Sequence, residues 1–80
     1  MDDTTVSAHI ERLVAEEHRL LDAAGNQGLN VEQRSRLEQV RVELDRYWDL
    51  LRQRRAREEF HLDPDFAELR DESTVERFEQ

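Results

Sequence analysis

Cysteine is absent from this chain, which excludes disulfides and thiolate metal sites as sources of stability and makes reducing and oxidising surroundings equally tolerable. Long apolar runs are absent as well. The N-terminal residues 1–5 contain no basic region and no apolar run follows them, so the sequence predicts neither a signal peptide nor a membrane span. The default expectation is a cytoplasmic protein without membrane association.

Proline and glycine are scarce, with one and two copies among 80 residues, whereas 40% of the residues are charged and 36% are hydrophobic. This composition is typical of long amphipathic helices. A chain this short forms one domain at most and buries little apolar surface, so self-association is the remaining source of core. The formal net charge of −8 repels nucleic acid and anionic lipid at long range. We therefore predict an all-α homo-oligomer, with a dimer favoured.

The first helix is predicted over about residues 5–24, with Thr4 or Thr5 as its N-cap and Gly25 as its terminator. Glu17 projects into the middle of its apolar arc, where an aliphatic residue would be expected. Wound at ~100° per residue, the helix places these apolar residues on that arc: Val6, Ile10, Leu13, Val14, Leu20, Leu21 and Ala24.

The second helix is predicted over about residues 30–60. Asn30 and Gln33 have the spacing of a capping box and mark its start, and the short break before it suits an antiparallel connection to the first helix. Apolar residues then recur at threes and fours, as in the seam of a helix packed against other helices. These are Leu37, Val40, Leu44, Tyr47, Trp48 and Leu51.

The two helices of this hairpin, residues 1–60, differ in length. At a rise of ~1.5 Å per residue the first covers roughly 30 Å and the second roughly 45 Å. Antiparallel pairing places Val6 near Leu50, so the sequence predicts that residues 52–60 extend past their intramolecular partner. That overhang contains no aliphatic residue larger than alanine.

Residues 61–80 are predicted to form a C-terminal arm with short helical turns. Asp63 supplies a capping side chain before Pro64, which suits the first helical position and predicts a helix to about residue 70. Ser73 begins a second candidate capping box and a final turn. The arm has too few apolar residues for a core of its own. It therefore either packs against another surface or has no fixed position. Its aromatic residues are Phe66 and Phe78.

The central string Leu-Asp-x-x-Trp-Asp-Leu-Leu-Arg-Gln-Arg-Arg-Ala, residues 44–56, resembles a small actinobacterial family known as domain of unknown function 2630. Looser similarities lie in Val14–His18, Asp63-Pro64 and Val75-Glu76-x-Phe78. The chain departs from the family at Tyr47, where a smaller residue is expected. It also departs at Phe60-His61-Leu62, where the family tends to have glycine. The lack of glycine there argues against a sharp turn before Asp63. The resemblance implies a soluble bacterial protein and brings no activity with it.

Glu17 has two interpretations. It could be a functional carboxylate with a raised pKa, because buried acids often occur at working sites. Alternatively, it could form an interhelical ion pair that fixes the register of the two helices. Hairpin geometry places it opposite Arg41, and we favour the register pair.

A metal site is not predicted. Helical bundles can hold metals with Glu-x-x-His ligands on facing helices, but that spacing occurs only once in the sequence, at Glu58 and His61, so a facing helix has no second pair to offer. His9 and His18 lie on different edges of one helix, and His61 is distant from both. No cofactor is therefore expected.

Four arginines in the overhang form the only dense basic patch, and arginine is a common phosphate ligand. Neighbouring acids at helical spacing permit local ion pairs, and acids of the arm could fold back on the same arginines. A solvated or self-paired face is therefore favoured over a phosphate site. The candidate partner-binding residues are Arg52, Arg54, Arg55, Arg57, Phe66 and Phe78.

The sequence contains no serine-histidine-acid, cysteine-histidine or glycine-rich phosphate motif, so an enzyme is not expected. We predict an interaction protein whose hairpins pair into a four-helix bundle through one seam. The seam residues are Ile10, Leu13, Leu20, Leu37, Leu44, Tyr47, Trp48 and Leu51. The alternative is an adaptor that binds an unknown protein partner, part of a larger bacterial complex, through the arginine-rich end and the acidic arm. Nucleic-acid binding through the arginines is the third possibility, and the acidic net charge argues against it.

Overall fold

The computed structural model describes residues 1–73 and 75. Helix α1 runs from Asp3 to Ala24 and helix α2 from Val31 to Glu59, with short 3-10 turns at Gly25–Gln27 and Pro64–Phe66. The described residues contain no strand, and α1 packs antiparallel to α2. The predicted all-α helical hairpin with a long second helix is therefore confirmed.

Both helices begin at side-chain caps. The α1 cap is Asp2, whose carboxylate accepts a hydrogen bond from the Thr5 backbone N–H at 2.8 Å, so the prediction of Thr4 or Thr5 was wrong. An aspartate can accept a hydrogen bond from an unpaired backbone N–H of the first turn, as a threonine would. It also places negative charge at the positive end of the helix dipole. The capping box of α2 is confirmed. Gln33 N–H donates to Asn30 at 2.7 Å, and Asn30 N–H donates to the Gln33 side chain at 3.0 Å.

The core lies between the two helices and continues onto a second side of α2. Leu37 and Leu20 lie along the same seam, Leu37 buried and Leu20 half-buried. Leu50, which falls outside the predicted seam, is buried, whereas Trp48 is 44% exposed. The buried cluster consists of Val6, Ile10, Leu13, Val40, Leu44, Leu50 and Leu51.

The C-terminal arm explains why the buried face is shifted. After a turn it runs back along α2, where Ala67 packs against the core cluster. Val75 is buried and lies beside Val42. The arm thus covers the Leu50 side of α2 and leaves the Trp48 side open, so Trp48 is not a core residue of the single hairpin.

The arm contains less helix than predicted. Only Pro64–Phe66 is helical in its first part, because side chains of α2 take up the backbone carbonyls that follow. Gln53 donates to the Glu68 carbonyl at 2.8 Å, and Arg46 donates to the Arg70 carbonyl at 2.9 Å. Glu72, Ser73 and Val75 are helical, and Phe78 lies outside the described residues.

The turn before the arm is sharp, contrary to the expectation from its lack of glycine. His61 adopts φ 58°, a left-handed conformation. Its N–H donates to the Glu58 carbonyl at 3.1 Å, and the Leu62 N–H donates to the Arg57 carbonyl at 2.7 Å. These two bonds form a Schellman motif, which normally has glycine at the position of His61.

Candidate functional site

Arg54 is the centre of a polar network that joins three parts of the chain. Its Nε donates to Asp3 Oδ1 at 2.6 Å, and its Nη1 donates to the Pro64 carbonyl at 3.1 Å and to Asp65 Oδ1 at 3.0 Å. The side chain is only 5% exposed, and the hydrogen bonds with Asp3 and then Asp65 raise its pKa. The start of α1, the end of α2 and the arm therefore meet at one guanidinium.

Arg57 holds the first residues of the arm. Its Nε donates to the Asp63 carbonyl at 2.6 Å, and its guanidinium lies 5.7 Å from the centre of the Phe66 ring, within the range of a cation–π contact. The segment 52–60 therefore contacts the arm, in agreement with the stated alternative that the arm folds back on its arginines. Arg54 and Arg57 bind the chain's own arm, whereas Arg52 and Arg55 are exposed.

Asp49 and Arg70 form a buried ion pair between α2 and the arm. The Asp49 side chain is 4% exposed and also accepts a hydrogen bond from Gln53 at 2.9 Å. Burial would raise the pKa of Asp49, but the hydrogen bonds from Arg70 and Gln53 outweigh it and hold that pKa below its usual value. Sequence reasoning missed this pair. The available signal was a carboxylate and an amide spaced i, i+4 on the face of α2 away from the seam.

Two ion pairs join α1 to α2. Arg41 Nε lies 3.3 Å from Glu17 Oε2, which brings together the two residues of the predicted register pair. A stronger pair lies next to it, where Arg36 donates to both oxygens of Glu16 at 2.7 and 2.6 Å. The hydrogen bond from Arg36 lowers the pKa of Glu16. Glu16 follows the arc residues Leu13 and Val14 by three and two positions, so it lies at the edge of the apolar arc, where a guanidinium from the facing helix can reach it.

An open groove of about 390 Å³ lies beside these pairs. His9 stacks on Tyr47 across it, with ring centroids 4.8 Å apart, and Arg12 Nη2 lies 2.6 Å from His9 Nδ1. Tyr47 is therefore half-buried against α1. Within residues 1–73 and 75, no group of three or more histidine, aspartate or glutamate side chains is arranged to hold a metal ion.

The open side of α2 exposes one aromatic residue among charged ones. Trp48 is 44% exposed, although the three residues that follow it are buried. Arg41, Arg52 and Arg55 lie seven before, four after and seven after Trp48, so helical periodicity places all four on one face. We call these four residues the Trp48 face.

A second exposed surface lies at the end of α2. Phe60, Leu62 and Phe66 are 75%, 52% and 71% exposed. Phe60 and Leu62 flank the left-handed residue His61, and Phe66 lies under Arg57. We call the three apolar residues the tip.

The part of the chain that the structure describes contains no helix that is both long and apolar enough to cross a membrane. This finding concerns only residues 1–73 and 75.

Comparison with known proteins gives relatives of the same size. The chain is 40% identical over 77 residues to uncharacterized proteins of Mycobacterium bovis and Mycobacterium tuberculosis, an alignment that covers 95% of this chain and 88% of each relative. No solved structure matches the chain. The family model described as "Protein of unknown function (DUF2630)" matches residues 2–80. The resemblance seen in the central string is thereby confirmed, and the chain belongs to this family of proteins of unknown function.

Proposed function

We propose that this chain is a small, cytoplasmic, non-enzymatic interaction protein that self-associates, with two hairpins pairing through their Trp48 faces into a four-helix bundle. The observation that carries the proposal is the exposure of Trp48. It lies in the middle of a 29-residue helix, between two surfaces that are already covered by α1 and by the arm.

Tryptophan on an otherwise charged face supports an interface at this position. Trp and Arg are enriched among the residues that contribute most to protein–protein binding, and Trp combines a large apolar surface with little conformational freedom to lose. Leu21 of α1 is also 44% exposed, and hairpin geometry places it with half-buried Val14 on the same side as Trp48. This side of the hairpin therefore exposes apolar side chains with arginines beside them.

The charges favour a second copy as that partner. A two-fold axis makes the same patch meet itself, so α2 of one copy can lie beside α1 of the other. The exposed residues of α1 include the acids Glu11 and Asp22, and those of the Trp48 face include Arg52 and Arg55. Opposite charges at the rim of such an interface fix its register more than they strengthen it.

The two alternatives receive less support. An adaptor that uses the arginine-rich end and the acidic arm would need groups that already bind one another, since Arg54 and Arg57 hold the arm. Nucleic-acid binding loses the same two arginines and faces a net charge of −8. Nucleic-acid binding predicts that the protein is strongly retained on immobilised DNA or RNA at low salt. A lack of retention would exclude this function.

The test is the mass of the protein in solution, measured by light scattering and sedimentation across the micromolar range. We expect a dimer that Trp48→Ala converts to a monomer, whereas the matched control Val31→Ala, which also truncates an exposed apolar residue of α2, leaves the dimer intact. Trp48 is the only tryptophan, so its emission should move to longer wavelength when the dimer is diluted. A compact monomer at every micromolar concentration would refute the proposal.

A further inference from the structure

The tip is held in a fixed shape that buries none of its large side chains. The left-handed conformation of His61 is unfavourable for a residue with a Cβ, yet the turn is closed by both bonds of the Schellman motif. Arg57 adds a third restraint through its bond to the Asp63 carbonyl at 2.6 Å. A strained turn with several restraints holds the side chains around it in fixed positions. The side chains held here are the exposed ones of the tip.

Three large apolar side chains are exposed within residues 60–66. Phe60 and Leu62 are two residues apart and therefore lie within ~7 Å of each other along the chain. The Arg57 guanidinium covers one face of Phe66, and the carbonyl of the same arginine accepts the Leu62 N–H. Apolar groups gathered in this way on a soluble protein mark binding surfaces more often than chance exposure.

The charges beside the tip indicate what it binds. Glu58, Glu59 and Asp63 are exposed and lie beside the tip in the sequence. The Arg57 guanidinium lies over the Phe66 ring and donates to the Asp63 carbonyl, and the three acids outnumber its one positive charge. An acidic rim repels an anionic lipid surface and attracts a basic one. The rim therefore favours a protein over a membrane.

We propose that the tip docks into an apolar groove of another protein, and that the groove is lined at its edge by lysine or arginine. Two aromatic rings and a leucine enter the groove, while Glu58, Glu59 and Asp63 meet the basic edge. Because the turn is already formed, docking requires little further ordering of the chain, which favours affinity. This inference does not depend on self-association, which uses a different side of α2.

The experiment places a photo-cross-linking phenylalanine analogue at position 62 of the full chain in cells of the source organism, with position 31 as the control. Val31 is 83% exposed and lies at the other end of α2. We expect a discrete adduct with a different protein from position 62 only. Mass spectrometry should locate the cross-link in an apolar segment flanked by lysine or arginine.

A double substitution in the same background tests the role of the rings. Phe60→Ser with Phe66→Ser should reduce the adduct at least tenfold and leave the dimer mass unchanged, because both rings are exposed. The circular dichroism melting temperature should fall only slightly, because the one described contact that is lost is the exposed one between Phe66 and Arg57. No adduct above the position 31 control, an adduct with phospholipid, an adduct with a second copy of this chain, or a cross-linked segment that is acidic would each overturn the proposal. Loss of the dimer in Trp48→Ala with the adduct retained would separate this surface from the Trp48 face.

Discussion

Arg70 of the arm donates from Nε to Asp49 Oδ2 of α2 at 2.9 Å, across 21 positions in the sequence. The carboxylate is buried and the guanidinium is about one-third exposed. The arm is therefore attached to α2 by a charged pair as well as by the apolar contact of Ala67. A buried carboxylate that loses its cation is strongly unfavourable. Docking of the arm through this pair therefore contributes to the stability of the hairpin.

Replacing Arg70 with methionine should lower the free energy of unfolding by about 2 kcal/mol, because it removes the cation that pairs with the buried Asp49 carboxylate. Urea denaturation measures the change. Arg55→Met is the matched control, since Arg55 is exposed, and its effect should stay within about 0.5 kcal/mol. Equal effects of the two substitutions would show that the pair contributes nothing to the stability of the fold.

The hairpin could be predicted from the sequence because its signals are local. The periodicity of the α2 seam and the spacing of Asn30 and Gln33 both act within one or two turns of a helix. The position of the arm could not be predicted in the same way. It depends on arginine and glutamine side chains that bind backbone carbonyls, such as the bond from Arg46 to the carbonyl of Arg70, and every residue has a carbonyl.

The candidate surfaces could not be predicted from the sequence either, because they depend on which side chains the arm covers. In a run of arginines, Arg54 and Arg55 look alike, yet one is buried against three partners and the other is exposed. Trp48 was placed in the seam and Leu50 outside it, whereas Leu50 is buried and Trp48 is 44% exposed, for a related reason. Periodicity locates the face that meets α1, but the arm adds a second covered face that moves the centre of burial toward Leu50.

Acid should destabilise the fold through Asp49 and Glu16. The pKa of each is lowered in the folded protein, from usual values of 3.8 and 4.5, because hydrogen bonds from Arg70 and Gln53 outweigh burial at Asp49 and the hydrogen bond from Arg36 acts on Glu16. A lowered folded-state pKa means that the unfolded chain takes up protons first as the pH falls. The two ionised carboxylates therefore stabilise the fold fully above about pH 5, and this stabilisation is lost as the pH falls through their lowered pKa values.

Urea denaturation at a series of pH values between neutral and acid measures this dependence. We expect the free energy of unfolding to be flat near neutrality and to fall on the acid side. Asp49→Asn removes one of the two groups, so its curve should start lower at neutral pH and fall less steeply in acid. Parallel curves for the wild type and Asp49→Asn would rule out a contribution of Asp49 to the pH dependence.

Replacing His61 with glycine should stabilise the protein by about 0.5–1 kcal/mol. The left-handed conformation at φ 58° costs about 1–2 kcal/mol for a residue with a Cβ, and glycine escapes that cost while losing about 0.5–1 kcal/mol of chain entropy on folding. The melting temperature and urea denaturation measure the gain. His61→Ala keeps the Cβ and is the control, which should gain nothing. A glycine variant no more stable than the alanine variant would show that the turn is not strained.

Glu17→Leu should leave the melting temperature unchanged or raise it. The Glu17 carboxylate is largely shielded from water, but its contact with Arg41 is a single one at 3.3 Å, and the Arg41 side chain is 58% exposed. Exposed pairs of this kind contribute about 0–1 kcal/mol, whereas a leucine would extend the apolar face next to Leu13 and Leu20, which lie one turn away on the same side.

Glu16, next to Glu17 in the sequence, provides the comparison for this prediction. Glu16→Leu removes the two-bond contact with Arg36 and should lower the free energy of unfolding by up to about 1 kcal/mol, since both partners are partly exposed and water compensates for the rest. Thermal melts of the two variants, made by the same change at adjacent positions, decide between the interpretations of Glu17. If Glu17→Leu prevented folding while Glu16→Leu did not, the register of the hairpin would depend on Glu17 far more than its single contact indicates. If instead Glu17→Leu folds with an unchanged or higher melting temperature, the result agrees with the register pair, because a polar residue at a seam specifies the pairing of the helices at some cost in stability.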